Sequence, residues 1–154
     1  MTERQYRIAG AADIGGTNTR VGLVQEDGKI IRMLRFPTPV TGTAGDIPLS
    51  IARAIHDIAG DIPLAGLGIA AAGPLDIRAG ILDHPPNIPF DTVPIVVPLM
   101  EETHLPVIFR NDCRAAVLGE VCAGGASGYD TVVYITISTG IGGGVFTHGK
   151  VLTG

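Results

Sequence analysis

Residues 13–18, Asp13-Ile14-Gly15-Gly16-Thr17-Asn18, lie between two β-type runs, Tyr6 to Ala9 and Val21 to Val24. The pair of glycines at the joint predicts a tight turn between antiparallel strands. With no Cβ in the way, the backbone there can approach a bulky anion. Thr17 and Asn18 set short polar side chains beside the exposed backbone N–H groups. Asp13 closes the first strand and is placed to hold a metal through a water. The pattern fits a phosphate-binding turn with a Mg2+ partner, although Gly-Gly hairpin turns are also common as plain structure.

A second stretch adds weight to the first. Residues 131–146 read TVVYITISTGIGGGVF: strand, glycine-rich turn, strand. Gly140, Gly142, Gly143 and Gly144 fall within five positions, with Ser138 and Thr139 in front of them. Two such hairpins suggest two loops gripping one polyphosphate. Neither is a P-loop, since no Lys-Ser/Thr pair follows the glycines. Neither is a dinucleotide fingerprint, because each glycine turn leads into a strand rather than a helix.

Five segments, DIGGTNTR at 13–20, GIAAAGPLD at 68–76, PPNI at 85–88, NDCRAAVLGE at 111–120 and TISTGIGGG at 136–144, occur in the order and spacing of one family. They resemble the ROK family of sugar kinases and related repressors, members of the actin/hexokinase/Hsp70 ATPase superfold. The resemblance implies an α/β, RNase H-like lobe with a mixed sheet flanked by helices over residues 1–124, followed at 125–154 by the opening hairpin of a second lobe. It also implies ATP and Mg2+ as cofactors and a hexose as substrate. The family's Glu-x-Gly-His sugar motif, Cys-rich zinc motif and adenosine pocket come later than Gly154. The chain therefore reads as an N-terminal portion, inactive or nearly so alone.

Composition agrees with a folded domain. The 154 residues are 45% hydrophobic and 17% charged, enough for one real core. A net charge of −4 opposes non-specific nucleic-acid binding, which needs a basic face. No run of about 20 apolar residues predicts a membrane span, and the N-terminus lacks the apolar region of a signal peptide. Cys113 and Cys122 are nine residues apart on an expected helix, so they face opposite ways and neither pair nor hold zinc alone. Both read as small buried or half-buried residues in a reducing cytoplasm.

The chain in order predicts strands at 5–13, 20–26 and 29–36, with Asp27-Gly28 as a hairpin turn. A helix follows at 46–59 on the spacing of Ile47, Ile51, Ile55 and Ile58. Residues 64–72 read as a central strand covered on both faces. Residues 77–82 read as a short hairpin, 84–94 as a Pro-rich loop, and the stretch from Pro98 to His104 as a short helix. Pro106 to Arg110 reads as another buried strand. A helix at 112–123 carries an apolar stripe of Ala115, Leu118, Gly119 and Cys122, and the last hairpin spans 130–137 and 141–148. That hairpin lacks sheet neighbours, so its edges are expected to pair with another chain in a homo-oligomer.

The chemistry is expected at one end of the sheet. Asp112, a carboxylate at a strand-to-helix junction, sits where open α/β sheets place ligands. A kinase needs a base near its acceptor hydroxyl, and the resemblance gives Asp112 that role; an N-capping aspartate is the plain structural alternative. By the same resemblance Asn111, Asn87 and Gly73 contact the sugar, Asp13 holds Mg2+, and Gly15, Gly16, Thr17 and Asn18 join Thr139, Gly140, Gly142 and Gly143 in cradling phosphates. His56, His84, His104 and His148 have no ligand spacing, and only His84 lies in the expected sugar loop. Competing readings are a non-catalytic sugar- or nucleotide-binding lobe, a ROK-type transcriptional repressor, and an acetate-kinase or Hsp70-like relative. The repressor needs an N-terminal helix-turn-helix for which Met1 to the first strand leaves no room. PPNI and NDxxxAxxGE disfavour the last of the three.

Overall fold

A computed structural model describes residues 6–137 and 140–153. Packing divides the chain into two units, Met1–Arg110 and Asn111–Gly154. Helix 112–123 thus groups with the hairpin that follows it, whereas the sequence places it in the first lobe.

The first unit begins with three strands, β1 (Ile8–Ile14), β2 (Asn18–Gln25) and β3 (Ile30–Pro37). They form an antiparallel meander, with Asp13 opposite Arg20 in β1–β2 and a register shift between Leu23 and Val24 in β2–β3. Gly28, at φ 88°, supplies the left-handed position that the β2–β3 turn needs. Helix α1 (Asp46–Ala59) follows and buries Ile47, Pro48, Ile51, Ala52, Ala54, Ile55 and Ala59. That single apolar face is what the isoleucine spacing foretells. The Asp46 carboxylate accepts hydrogen bonds from the Thr43 N–H at 2.7 Å and hydroxyl at 3.0 Å. The backbone bond first, then the hydroxyl, hold its pKa below the usual aspartate value. At the other end Gly60 stops the helix at φ 55°.

Strand β4 (Leu67–Ala71) runs parallel to β1, with Ile14 level with Ala71. A three-stranded sheet of short pieces follows, β5 (Leu75–Asp76), β6 (Ile81–Asp83) and β7 (Thr92–Pro94). Helix α2 (Val96–Thr103) ends at His104, which takes the left-handed conformation, φ 56°. Strand β8 (Val107–Asn111) completes a main sheet of order β3-β2-β1-β4-β8. Ile14, Val21, Leu67, Ile69 and Phe109 from that sheet, Ile47, Ile51 and Ile55 from α1, and Leu82, Val93, Ile95 and Leu99 beyond it form one apolar cluster. A Cβ on Gly10 would lie 2.6 Å from Leu67 Cδ2 and 3.2 Å from Ile55 Cδ1, so the glycine lets helix and sheet close up there.

Three expectations are corrected in this unit. Strand β4 is covered on one face only: Leu67, Ile69 and Ala71 are buried while Gly68 is exposed. A run of small residues reads as apolar whether or not anything covers it. Strand β8 is the edge of the sheet with only Phe109 buried, and Ile108 is 62% exposed. The Pro-rich stretch 84–94 contains strand β7, because Pro94 occupies the strand's end, where a missing N–H costs little.

The second unit holds helix α3 (Asp112–Ala123) and strands β9 (Thr131–Ile137), β10 (Ile141–Thr147) and β11 (Lys150–Val151) in the order β11-β10-β9. Helix α3 packs on β9 and β10. Its buried residues are Cys113 and Val117, so the expected stripe is corrected: Leu118, Gly119 and Cys122 are exposed. The helix is apolar on several sides, and the pattern alone does not choose among them. Among the described residues no helix is long and apolar enough to cross a membrane.

Candidate functional site

In the first unit β1 and β4 run parallel, so their C-terminal ends lie side by side, where open α/β sheets place ligands. The turn after β1 is built with care. The Gly15 N–H donates to the Asn18 carbonyl at 3.1 Å. The Gly15 carbonyl accepts from the Thr38 hydroxyl at 2.7 Å. The Thr38 N–H in turn reaches the Thr17 carbonyl at 3.0 Å. Among the described residues the N–H groups of Gly16 and Thr17 have no hydrogen-bond partner. Two consecutive unpartnered donors on a glycine turn make a ready anion cradle.

The loop 85–88 meets that turn. Pro85 and Ile88 are buried and anchor it, and the Ile88 N–H bonds to the Pro85 carbonyl at 3.2 Å. Asn87, between them, is exposed. A Cβ added to Gly16 would collide with Asn87 Cβ and lie 3.0 Å from the Asn87 carbonyl oxygen. Only glycine fits at 16 while Asn87 stays in place. Gly73, after β4, has φ 106°, and its Cβ position faces Pro86 at 3.4 Å and Pro85 at 3.8 Å. The structure therefore gathers Gly15, Gly16, Gly73 and Asn87 in one place.

Asp13 stands on β1 directly opposite Arg20, and their side chains form a 3.1 Å ion pair, 47% and 54% exposed. Such a pair is worth about 0.2–1 kcal/mol. Next to the Asn87 loop, His84 adopts φ 47°, donates its N–H to the Asp91 carbonyl at 2.7 Å and sets Nδ1 2.7 Å from Asp83 Oδ1. The bond to the Asp83 carboxylate and then its charge raise the His84 pKa above the ordinary value.

In the second unit Asn111 caps α3, its side-chain oxygen accepting from the N–H groups of Cys113 and Arg114 at 3.1 and 3.3 Å. The capping role weighed for Asp112 thus belongs to its neighbour. Asp112 Oδ1 accepts from Asn111 Nδ2 at 2.9 Å and from the Cys113 N–H at 2.8 Å. The Asp112 carboxylate also interacts with the Cys113 thiol. These bonds fix the orientation of the carboxylate.

The second glycine stretch is built differently. A Cβ on Gly142 would lie 2.7 Å from Cys113 Sγ, and one on Gly144 would collide with the Cys113 carbonyl oxygen and meet Val117 Cγ1 at 3.0 Å. These glycines admit the helix. Gly143 faces the Tyr134 carbonyl, 3.2 Å from a would-be Cβ, and Gly140 has open space around it. Thr139, with Ser138, lies outside the described residues. Glu120 is exposed and ties the end of α3 to the following turn by accepting from the Gly125 N–H at 3.1 Å. Cys113 is buried and Cys122 exposed, so only the first of the two follows expectation, and both are free thiols.

Sequence reasoning missed Thr19 and Thr38, which are buried and bonded to each other at 2.9 Å. The signal was available in Pro37-Thr38-Pro39, where Thr38 carries the one N–H of the tripeptide.

The chain is 41% identical over 143 residues to the glucokinase of Thermotoga maritima, across 92% of this chain and 45% of that enzyme. It is similar to the crystal structure of a ROK family glucokinase from Streptomyces griseus in complex with glucose and AMPPNP, with a TM-score of 0.84 and 33% identity over 97% of this chain and 47% of that one. It is also similar to the ROK hexokinase of Thermus thermophilus, with a TM-score of 0.77 and 35% identity over 96% of this chain and 49% of that one. The chain spans about half the length of the relatives it matches, and its fold is the actin-like ATPase fold of those kinases. Residues 9–154 match the ROK family, and the chain belongs to it.

Proposed function

We propose that the protein carrying this chain transfers the γ-phosphoryl of ATP to a hydroxyl of a hexose, with glucose the first sugar to test. The observation that carries this reading is the turn at 13–18. Its Gly16 and Thr17 N–H groups are unpartnered, and Gly16 lies against Asn87. In this reading a phosphate-binding element and a sugar-binding element are contiguous in one unit, as phosphoryl transfer requires. The ROK family glucokinase from Streptomyces griseus, solved with glucose and AMPPNP, supports the same pairing of ligands.

In this reading Asp112 is the base. Asn111 Nδ2 and the Cys113 N–H hold Oδ1, and the carboxylate would take the proton of the sugar hydroxyl as the hydroxyl oxygen bonds the γ-phosphorus and the bond from that phosphorus to the β,γ-bridging oxygen breaks, releasing ADP. Asn87 contacts the sugar, and Gly73 lets the β4 end approach it. Gly15 to Asn18 hold the polyphosphate through the open N–H groups of Gly16 and Thr17. Asp13 suits Mg2+: one carboxylate, completed by phosphate oxygens and water, is a usual environment for that ion. Bound there, Mg2+ would neutralise charge on the phosphates. The apolar, singly paired strand β9 supports the expected homo-oligomer, and the free thiols fit a cytoplasmic setting.

The test is a coupled kinase assay on the full-length protein with glucose, mannose and N-acetylated hexosamines. Glucose phosphorylation is expected, with Asp112→Asn lowering kcat about 100-fold or more and leaving glucose binding in place. A full-length enzyme that phosphorylates no hexose overturns the reading. The 154-residue chain alone is expected to show neither turnover nor micromolar ATP binding by titration calorimetry.

A further inference from the structure

Thr19 and Thr38 are the two polar residues that the fold buries among its described residues, at 0% and 3% exposure. A buried hydroxyl must be satisfied, and each of these is. The Thr38 hydroxyl donates its single proton to the Gly15 carbonyl at 2.7 Å. The 2.9 Å bond between the hydroxyls therefore runs from Thr19 to Thr38. The result is a directed chain, Thr19 to Thr38 to the Gly15 carbonyl, in which each bond polarises the next.

The chain of bonds has a geometric effect on the turn. All peptide bonds among the described residues are trans. In a planar trans peptide the C=O of one residue and the N–H of the next point in opposite directions. Pulling the Gly15 carbonyl toward Thr38 therefore sends the Gly16 N–H the other way. Thr38 holds the turn a second time, through its N–H to the Thr17 carbonyl at 3.0 Å. The same reasoning turns the Asn18 N–H away from Thr38. Pro39 restricts Thr38 to extended backbone, so both of its bonds start from a stiff base.

We propose that Thr38, oriented by Thr19, is a positioning residue that aims the Gly16 N–H at the polyphosphate of the nucleotide. The inference rests on the kinase reading above and adds to it a residue 22 positions beyond Gly16 in the sequence. Neither hydroxyl touches substrate. They act by fixing which way one peptide plane faces.

The experiment has two arms. In the full-length enzyme, Thr38→Val is expected to lower kcat/KM for ATP at least 10-fold while the KM for hexose changes less than 2-fold. Thr38→Ser, which keeps the donor, should return to within 2-fold of wild type. The double variant Thr19→Val with Thr38→Val leaves no buried hydroxyl unsatisfied and serves where the single variant folds poorly. In the 15N-labelled 154-residue chain, Thr38→Val should move the Gly16 and Thr17 amide resonances and Thr38→Ser should not. Unmoved resonances overturn the proposal at the level of geometry, whatever the protein's activity. Resonances that move while ATP kinetics stay at the wild-type value overturn its phosphate half. A wild-type enzyme inactive on every hexose instead removes the kinase reading, with the resonance arm still reporting on the threonine pair.

Discussion

The two units use glycine for opposite purposes. The first, which holds Gly15 and Gly16, has a deep core that includes Ile14, Leu23, Ile47, Ile51, Leu82, Ile95 and Leu99, all fully buried. Space at Gly16 is left for Asn87, and the backbone donors stay open. In the second, Gly142 and Gly144 are spent on bringing α3 onto β10, and the fully buried side chains are few: Val117 and, nearly so, Cys113. On the far side of that hairpin Ile137 and Ile141 are 79% and 81% exposed. A glycine-rich hairpin is therefore not one kind of object. What fills the volume that each missing Cβ leaves decides whether the backbone donors stay open or the hairpin becomes a packing surface.

The comparison predicts unequal stability. Ile51→Ala should destabilise the first unit by about 2–5 kcal/mol, read from urea unfolding followed by residue-resolved amide exchange. Val117→Ala should weaken the second unit and leave amides of β1, β2 and β4 protected. If Val117→Ala lowered protection throughout the chain, the two units would be one cooperative structure and the comparison would break.

A smaller effect is expected at single glycines. Gly144→Ala must displace Cys113 or Val117 and should cost about 1–3 kcal/mol within the second unit. Gly68→Ala meets nothing within 4 Å and should be neutral or gain about 0.4–1 kcal/mol. Thiol labelling reads the difference. Burial, then the charge of Asp112, pushes the Cys113 thiol pKa up, so it stays protonated and shielded, whereas Cys122 is open. Cys122 should label at once, and Cys113 should label faster in Gly144→Ala than in wild type or Gly68→Ala. Equal Cys113 rates in all three would mean that the glycine contact does not hold α3.

The smallest effect lies at His84. Its pKa is raised in the folded chain, chiefly by Asp83. The pair's contribution to stability is thus fully present below the unfolded value of about 6.5 and is lost as pH rises through the folded value. Both side chains are largely exposed, so the effect is local. An NMR titration of the His84 ring should show its midpoint falling in Asp83→Asn. A midpoint indifferent to that change would mean the pair does not form in solution.

Much of the first unit was legible because its signals are local. Asp27-Gly28 marks a hairpin, and Ile47, Ile51 and Ile55 mark one helix face, each without reference to distant residues. The face of α3 was not legible, since Ala115, Leu118 and Cys122 are as apolar as Cys113 and Val117. The deciding fact is the absence of side chains at Gly142 and Gly144, some 30 residues away. The open side of β4 was hidden for a similar reason: Gly68 and Ala70 look the same to the eye whether covered or bare. At the candidate site the glycines and Asn87 could be read as motifs. Their contact, and the role of Asn111 as the cap that frees Asp112, needed the fold.

Thr38 bears on how the glycine turn could be transplanted. Residues 13–18 grafted onto another hairpin would carry the glycines but nothing to set the tilt of the Gly15–Gly16 peptide. The smallest portable piece runs from β1 through Thr38, a three-stranded ribbon whose last residue instructs its first bend. An engineer borrowing the proposed anion grip should move the whole ribbon, and should treat Pro37-Thr38-Pro39 as part of it.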